Sequence, residues 1–174
     1  MSHHNKAVFF DRDGVINKRI IDGYVTNWDE FEWLPDVGET LKAVRAKKYL
    51  AIIITNQRGV GIGKMSEADL NAVHRQMQDE LLEKYGIEFD DIISCTDATN
   101  DSPRRKPSPA MIFEAQAKWN IDLSKSWFIG DAPSDIEAGL AAGTRTVFLL
   151  NEHETPHLKS TITISHLRDL PGLL

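Results

Sequence analysis

The sequence predicts an α/β fold, a Rossmann-like parallel sheet of about five main strands with helices on both faces. Three observations carry that prediction. Short β-branched and aromatic runs alternate with helical patterns along the chain. The runs are continuously apolar, as strands covered on both faces require. The length, 174 residues, suits one domain spanning 1–174 better than two, since a domain of ~150 residues buries roughly 68–70% of its unfolded surface.

The strand runs are 7–10, 49–54, 92–95, 127–129 and 146–150. Between the first two, Val37, Leu41 and Val44 recur at helical spacing behind a capping box formed by Asp36 and Glu39. Ser66 opens a longer helix with Leu70, Val73, Met77 and Leu81 on one stripe and His74 on its polar face. Gly86 stands where that helix needs a left-handed end. Ser108 is the N-cap of the next helix, with Pro109 at its first position and Ile112, Ala115 and Trp119 on its apolar side. Ser134 or Pro133 opens a fourth helix that runs through Ile136 and Leu140 to Gly143. Beyond Leu150 come a turn-rich stretch, a short Ile162–Ile164 run and a last helical segment from Ser165. Residues 14–34 are long for a connection, and such loops often cover active sites.

Composition narrows the function classes. With 41% hydrophobic and 26% charged residues the chain is neither disordered, nor collagen-like, nor a disulfide scaffold. A net charge of -6 repels phosphate backbones and anionic lipid, so neither nucleic acid nor membrane is an expected partner. The single cysteine, Cys95, permits no intrachain disulfide and no zinc cluster. The apolar run at 6–10 is too short for a secretory signal, and none approaches the ~18 residues of a membrane span, so the expected location is cytoplasmic. His153, His157 and His166 show no metal-ligand spacing.

Asp11-Arg12-Asp13-Gly14 directly follows the first strand, so both carboxylates leave the sheet at its carboxyl edge, where open α/β sheets bind ligands. The second strand ends in Thr55-Asn56-Gln57, and the fourth in Gly130-Asp131-Ala132-Pro133-Ser134-Asp135. Each group has a local alternative: aspartates make turns and caps, and Thr55 is an ordinary strand-end residue. Their convergence on one edge favours a site. Arg104-Arg105-Lys106 adds cations ahead of a helix N-terminus. Clustered carboxylates without cysteine or histidine prefer a hard cation, and Mg²⁺ takes one or two carboxylates plus water and phosphate oxygens. That chemistry suits phosphoryl transfer: one aspartate attacks phosphorus in line, Thr55 and Lys106 bind equatorial oxygens, and an aspartate two residues on protonates the leaving oxygen. The glycines at 59, 61 and 63 fit neither a P-loop nor a dinucleotide fingerprint, because Arg58 and Met65 stand where the P-loop needs glycine and Ser or Thr; the segment reads as a flexible loop.

Asp-x-Asp-Gly, then Thr55, Lys106 and Gly-Asp-x-x-x-Asp, in that order over residues 6–150, resemble the haloacid dehalogenase-like phosphatases. The runs 10–17 and 22–25, with Thr55-Asn56-Gln57 and Arg105-Lys106-Pro107, are similar to the branch containing D-glycero-D-manno-heptose 1,7-bisphosphate phosphatase and histidinol phosphate phosphatase. The resemblance implies that Asp11 is the nucleophile and Asp13 the acid and base. It implies that the Asp11 side chain, the Asp13 carbonyl and Asp131 hold Mg²⁺, and that Asp135 stands behind them. Thr55, Arg105 and Lys106 would steady the phosphoryl group, with Asp22, Gly23, Tyr24, Asn56 and Gln57 lining the substrate.

That branch commonly carries a zinc-binding loop of Cys-x-His and Cys-x-Cys pairs. Here Cys95 is followed by neither cysteine nor histidine before Lys106, so no zinc is expected. Between Thr55 and Lys106 a helix and a strand leave no room for a large cap domain. The expected activity is Mg²⁺-dependent hydrolysis of a small phosphorylated metabolite, a heptose bisphosphate first and histidinol phosphate second, by a monomer or small homo-oligomer. The rival classes are a catalytically silent phosphometabolite-binding protein and a nucleic-acid end-processing phosphatase, the latter opposed by the acidic charge.

Overall fold

A computed structural model describes residues 4–153, 155 and 162–174. The elements are β1 (Lys6–Phe10), α1 (Val37–Ala46), β2 (Tyr49–Asn56), α2 (Arg58–Gly61), α3 (Glu67–Tyr85), β3 (Asp91–Cys95), α4 (Ala110–Trp119), β4 (Trp127–Gly130), α5 (Pro133–Ala142), β5 (Arg145–Leu149) and β6 (Ile162–Ile164). The six strands form one parallel sheet in the order β3-β2-β1-β4-β5-β6. The five expected strands are thus joined by the short 162–164 run as an edge strand.

Alternate strand residues feed two cores. Val8, Phe10, Ile53 and Ile129 pack with α1, α3 and the 3-10 helix Leu167–Leu173, whereas Phe9, Ile52, Ile54 and Phe128 pack with α4 and α5. Burial on both faces explains why the strands read as unbroken apolar runs. The chain winds outward from β1 to β3 on one side and from β4 to β6 on the other, so the strand order reverses between β1 and β4. Ligands of open α/β sheets bind at such a switch point, outside the carboxyl ends of the strands. The whole segment between β2 and β3 is taken by α2, α3 and short turns, with no inserted cap domain.

Local expectations met varied outcomes. Ser66 and Asp69 form the capping box of α3, and Gly86 closes that helix at φ +67°. The box expected from Asp36 and Glu39 does not form: Asp36 sits at φ +68° and its side chain caps nothing. At α4 the cap position falls to Pro109, while the Ser108 hydroxyl still accepts from the Ala110 N–H at 3.3 Å. The glycine segment after β2 is not a free loop. It opens with the one-turn α2, in which a Cβ at Gly61 would strike the backbone of Thr96 and Ala98. His74 is buried at 8% exposure, because it lies on the same stripe as Leu70, Val73 and Met77. His157 and Met1–His3 lie outside the described residues.

The long 14–34 connection is closed at its base by an Asn17–Trp33 bridge and by the Leu34 N–H donating to the Ile16 carbonyl at 3.0 Å. Stacking of Trp28 on Phe31 (4.6 Å) and the edge contact of Phe31 with Trp33 (5.0 Å) anchor its descending limb. Its tip projects over the carboxyl edge of the sheet.

Candidate active site

β1 places Asp11 first. Its N–H extends the ladder to the Ile129 carbonyl of β4 at 3.0 Å, which fixes the side chain over the switch point. Lys106 approaches from the β3–α4 loop, and its ammonium donates to Asp11 Oδ1 (2.7 Å), Asp135 Oδ1 (2.7 Å) and the Ile54 carbonyl (2.9 Å). All three of its protons are therefore used. Burial opposes its charge, yet the two carboxylates outweigh that and raise its pKa. The backbone of Lys106 is clamped by Asn56, whose amide donates to the Lys106 carbonyl (3.2 Å) and accepts from its N–H (3.1 Å).

Asp131, at the end of β4, is 2% exposed and its Oδ1 has no hydrogen-bond partner. Its Oδ2 lies 3.8 Å from the Arg19 guanidinium and 3.4 Å from Asn151 Nδ2. Burial, then the neighbouring Asp11 and Asp135, push the Asp131 carboxyl up to about 8. Burial and Asp135 likewise push Asp11 up to about 7, despite Lys106. Gly14, at φ +94°, leaves open the space against the Asp131 carboxylate that any Cβ would fill.

Among the described residues, Asp11, Asp131 and Asp135 form the one group of three or more potential metal-binding side chains whose ligand atoms all lie within 4.8 Å of one another. Asp135 is already engaged, through Oδ1 with Lys106 and through Oδ2 with the N–H groups of Asp131 (3.2 Å) and Ala132 (3.1 Å). The orphaned oxygen of Asp131 and the crowded, all-oxygen donor set fit Mg²⁺, because a divalent cation removes both the missing partner and the carboxylate repulsion.

Asp13 has the opposite surroundings. Arg12 Nη2 (2.8 Å) and Asn17 Nδ2 (3.0 Å) donate to its Oδ1, and Gln57 Nε2 (2.8 Å) donates to its Oδ2. Burial works against its charge, but Arg12 foremost, then Asn17 and Gln57, hold its carboxyl below the usual range.

A cavity of about 240 Å³ opens over Asp11, Asp13 and Asp135, walled by the 19–25 loop, Asn56, Arg58, Arg105 and Lys106, while Asp131 borders the neighbouring cavity. Arg105 presents a buried Nη1 with no hydrogen-bond partner. Of the residues expected at the substrate, Gly23, Tyr24 and Asn56 line this cavity, whereas Asp22 and Gln57 do not. Gln57 is 1% exposed and donates to both Asp13 and Thr55 Oγ1, so it works behind the surface. Thr55 is fully buried, with its hydroxyl hydrogen left for another acceptor.

The segment where the resembling branch carries its zinc loop is held by hydrogen bonds. Arg58 Nε donates to the Ala98 carbonyl at 2.7 Å, Ser102 donates to Asp97, and Arg104 forks onto Glu114 at 2.7 and 2.8 Å. Sequence reasoning missed Arg19, Arg58, Asn17, Asn151 and the Arg12–His74 pair. His74 was detectable, since position 74 falls four residues after Leu70 and three before Met77.

A family model described as HAD-hydrolase-like matches residues 103–170. The chain is 41% identical over 145 residues to a D-glycero-beta-D-manno-heptose-1,7-bisphosphate 7-phosphatase of Rhodopseudomonas palustris, covering 79% of each. It is 36% identical over 169 residues to one of Helicobacter pylori, covering 95% of each. Among solved structures it is similar to D,D-heptose 1,7-bisphosphate phosphatase from B. bronchiseptica complexed with magnesium and phosphate, with a TM-score of 0.86, 26% identity and 97% of each chain covered. The carboxylate crevice, the reversal of strand order above it and this likeness along nearly the whole chain agree: the protein belongs to the haloacid dehalogenase-like phosphatases.

Proposed function

We propose that this phosphatase removes the C7 phosphate of D-glycero-D-manno-heptose 1,7-bisphosphate through an aspartyl phosphate on Asp11. The observation that carries the reading is the meeting of Asp11, Lys106 and the unpartnered Asp131 oxygen at one switch point. The two curated relatives carry that activity in their names.

Asp11 attacks phosphorus in line with the sugar oxygen, forming an Asp–O–P bond as the P–O7 bond breaks. Asp13 gives its proton to the departing oxygen and then takes one from the water that hydrolyses the acyl phosphate. A phosphate dianion arriving beside Asp13 favours the protonated form that this first role needs. Thr55, the free Nη1 of Arg105 and Lys106, which turns one of its three donors from a carboxylate to the phosphate, hold the equatorial oxygens. The side chains of Asp11 and Asp131 and the Asp13 carbonyl would hold Mg²⁺, which when bound neutralises phosphoryl charge. The 19–25 loop forms the open mouth, with Tyr24 packed on Gly59, where a Cβ would come within 2.8 Å of the ring.

Residues 1–174 act in this reading as one hydrolase domain, in the cytoplasm, as a monomer or small homo-oligomer. Among the described residues no helix is long and apolar enough to cross a membrane. The test is phosphate release from both heptose bisphosphate anomers, histidinol phosphate and other phosphometabolites, with and without Mg²⁺. Preferential Mg²⁺-dependent turnover of a heptose bisphosphate is expected, and undiminished turnover by Asp11→Asn would eliminate the nucleophile.

A further inference from the structure

The structure assigns His74, on α3, a positioning role: through Arg12 it fixes the Asp13 carboxylate for proton transfer. This rests on the acid and base reading of Asp13 given above. Arg12 is fully buried, and its guanidinium meets three partners in three directions. Nε donates to Asn17 Oδ1 (3.2 Å), Nη2 donates to Asp13 Oδ1 (2.8 Å), and Nη1 stands 3.1 Å from His74 Nε2. A guanidinium can only donate, so His74 Nε2 is the bare nitrogen and the ring proton sits on Nδ1. Burial, then the Arg12 charge, push the His74 pKa down to about 3, which keeps the ring neutral and able to accept.

The geometry gives the contact its consequence. Guanidinium donors lie in one rigid plane, so a partner at Nη1 restricts the direction in which Nη2 points. Without that partner the fork can tilt, and the donor on Asp13 tilts with it. His74 itself cannot drift, because it shares the buried stripe of α3 with Leu70, Val73, Met77 and Leu81. Neither Arg12 nor His74 borders the cavity above Asp11, so neither reaches the substrate. The periodicity that packs α3 on the sheet thereby orients the group expected to move the proton.

The leaving group supplies the test. A sugar alkoxide needs a proton as it departs, whereas p-nitrophenolate hardly does, so loss of general acid function discriminates between the two esters and general damage does not. Asp13→Asn is the reference, expected to lose far more kcat on heptose bisphosphate than on p-nitrophenyl phosphate. His74→Leu should show the same pattern on a smaller scale, with about tenfold more loss on the sugar ester, less than the ~10²–10⁴-fold that loss of the acid itself costs. His74→Gln, which keeps an accepting oxygen, should return the ratio to within about threefold of the parent's. Equal losses on both esters in His74→Leu, or no loss, would overturn the inference while leaving Asp13 in place. No discrimination in Asp13→Asn would instead sink the reading of Asp13 itself. Should His74→Leu not fold, ¹⁵N NMR of the parent decides: a bare Nε2 on His74 is expected, and a protonated Nε2 contradicts the arrangement.

Discussion

Asp13 and Asp131 both follow strands at the switch point, Asp13 bordering the cavity over Asp11 and Asp131 the neighbouring one, and their surroundings have opposite character. The Asp13 carboxylate is saturated: three side chains donate to it and hold its charge. The Asp131 carboxylate lies deeper, its side chain 3% exposed against 26% for Asp13, yet one oxygen lacks any partner and its carboxyl is pushed up to about 8 by burial and by its acidic neighbours. Protein groups alone therefore complete one half of the crevice, and the other half is built for a cation that the protein does not itself supply. A buried acceptor without a partner costs about 1–3 kcal/mol. Retaining it makes sense where a metal ion ends the deficit.

The contrast predicts separable effects, the largest at Asp131. Asp131→Asn should lower Mg²⁺-dependent turnover by more than the ~10–100-fold typical of residues behind a metal ligand. It should also abolish the gain in thermal stability on adding Mg²⁺, which for the parent is about 2.7 kcal/mol at a hundred times the Kd. Calorimetry with and without Mg²⁺ reads both, and an unchanged Mg²⁺ response would break the contrast. Next comes Gln57→Leu, which removes one donor from Asp13 and leaves the metal half alone. Turnover should fall about tenfold, less than the ~10²–10⁴-fold that a lost acid–base group costs, while the Mg²⁺-induced stabilisation persists.

A pH titration of stability sharpens the same point. The unfolded state releases the Asp131 proton near its ordinary value of 3.8, whereas the folded, metal-free protein keeps it to about 8. Between those values the folded state binds more protons, so this group's contribution to stability falls as pH rises and is lost once pH passes the folded value. Metal-free Asp131→Asn should therefore gain on the parent from pH 4 to pH 8 in chemical denaturation, and parallel curves would contradict the assignment. The smallest effect lies outside the crevice: Ser66→Ala breaks the α3 capping box at a cost of about 1 kcal/mol, with kcat and KM unchanged.

The positions of the five main strands along the chain and the placing of Asp11, Thr55 and Asp131 at strand ends could be read ahead of any coordinates, because strand ends and motif spacing are local in the chain. What could not be read were pairings set by tertiary packing. Asn56 lines the cavity as expected, but that both its amide atoms also clamp the Lys106 backbone, a partner fifty residues away, was not legible. Asp36 looked like a cap, but the chain enters α1 through a left-handed residue that turns the side chain away. That neither cysteine nor histidine stands between Cys95 and Lys106 was plain from the sequence. That Arg58 and the Arg104–Glu114 fork hold that loop depends on α2 and α4 lying against it, which no spacing rule reports. His74 differs, since its helical period with Leu70, Val73 and Met77 puts it on the buried stripe although its polarity suggests the solvent face.

The most direct measurement is chemical trapping of the intermediate. Enzyme mixed with heptose 1,7-bisphosphate and Mg²⁺ is acid-quenched within the first turnover, reduced with borohydride and digested for peptide mass spectrometry. An aspartyl phosphate at Asp11 is expected to appear as homoserine at position 11. Homoserine at Asp13 or Asp131, or none during demonstrable turnover, would contradict Asp11 as the group that takes the phosphoryl.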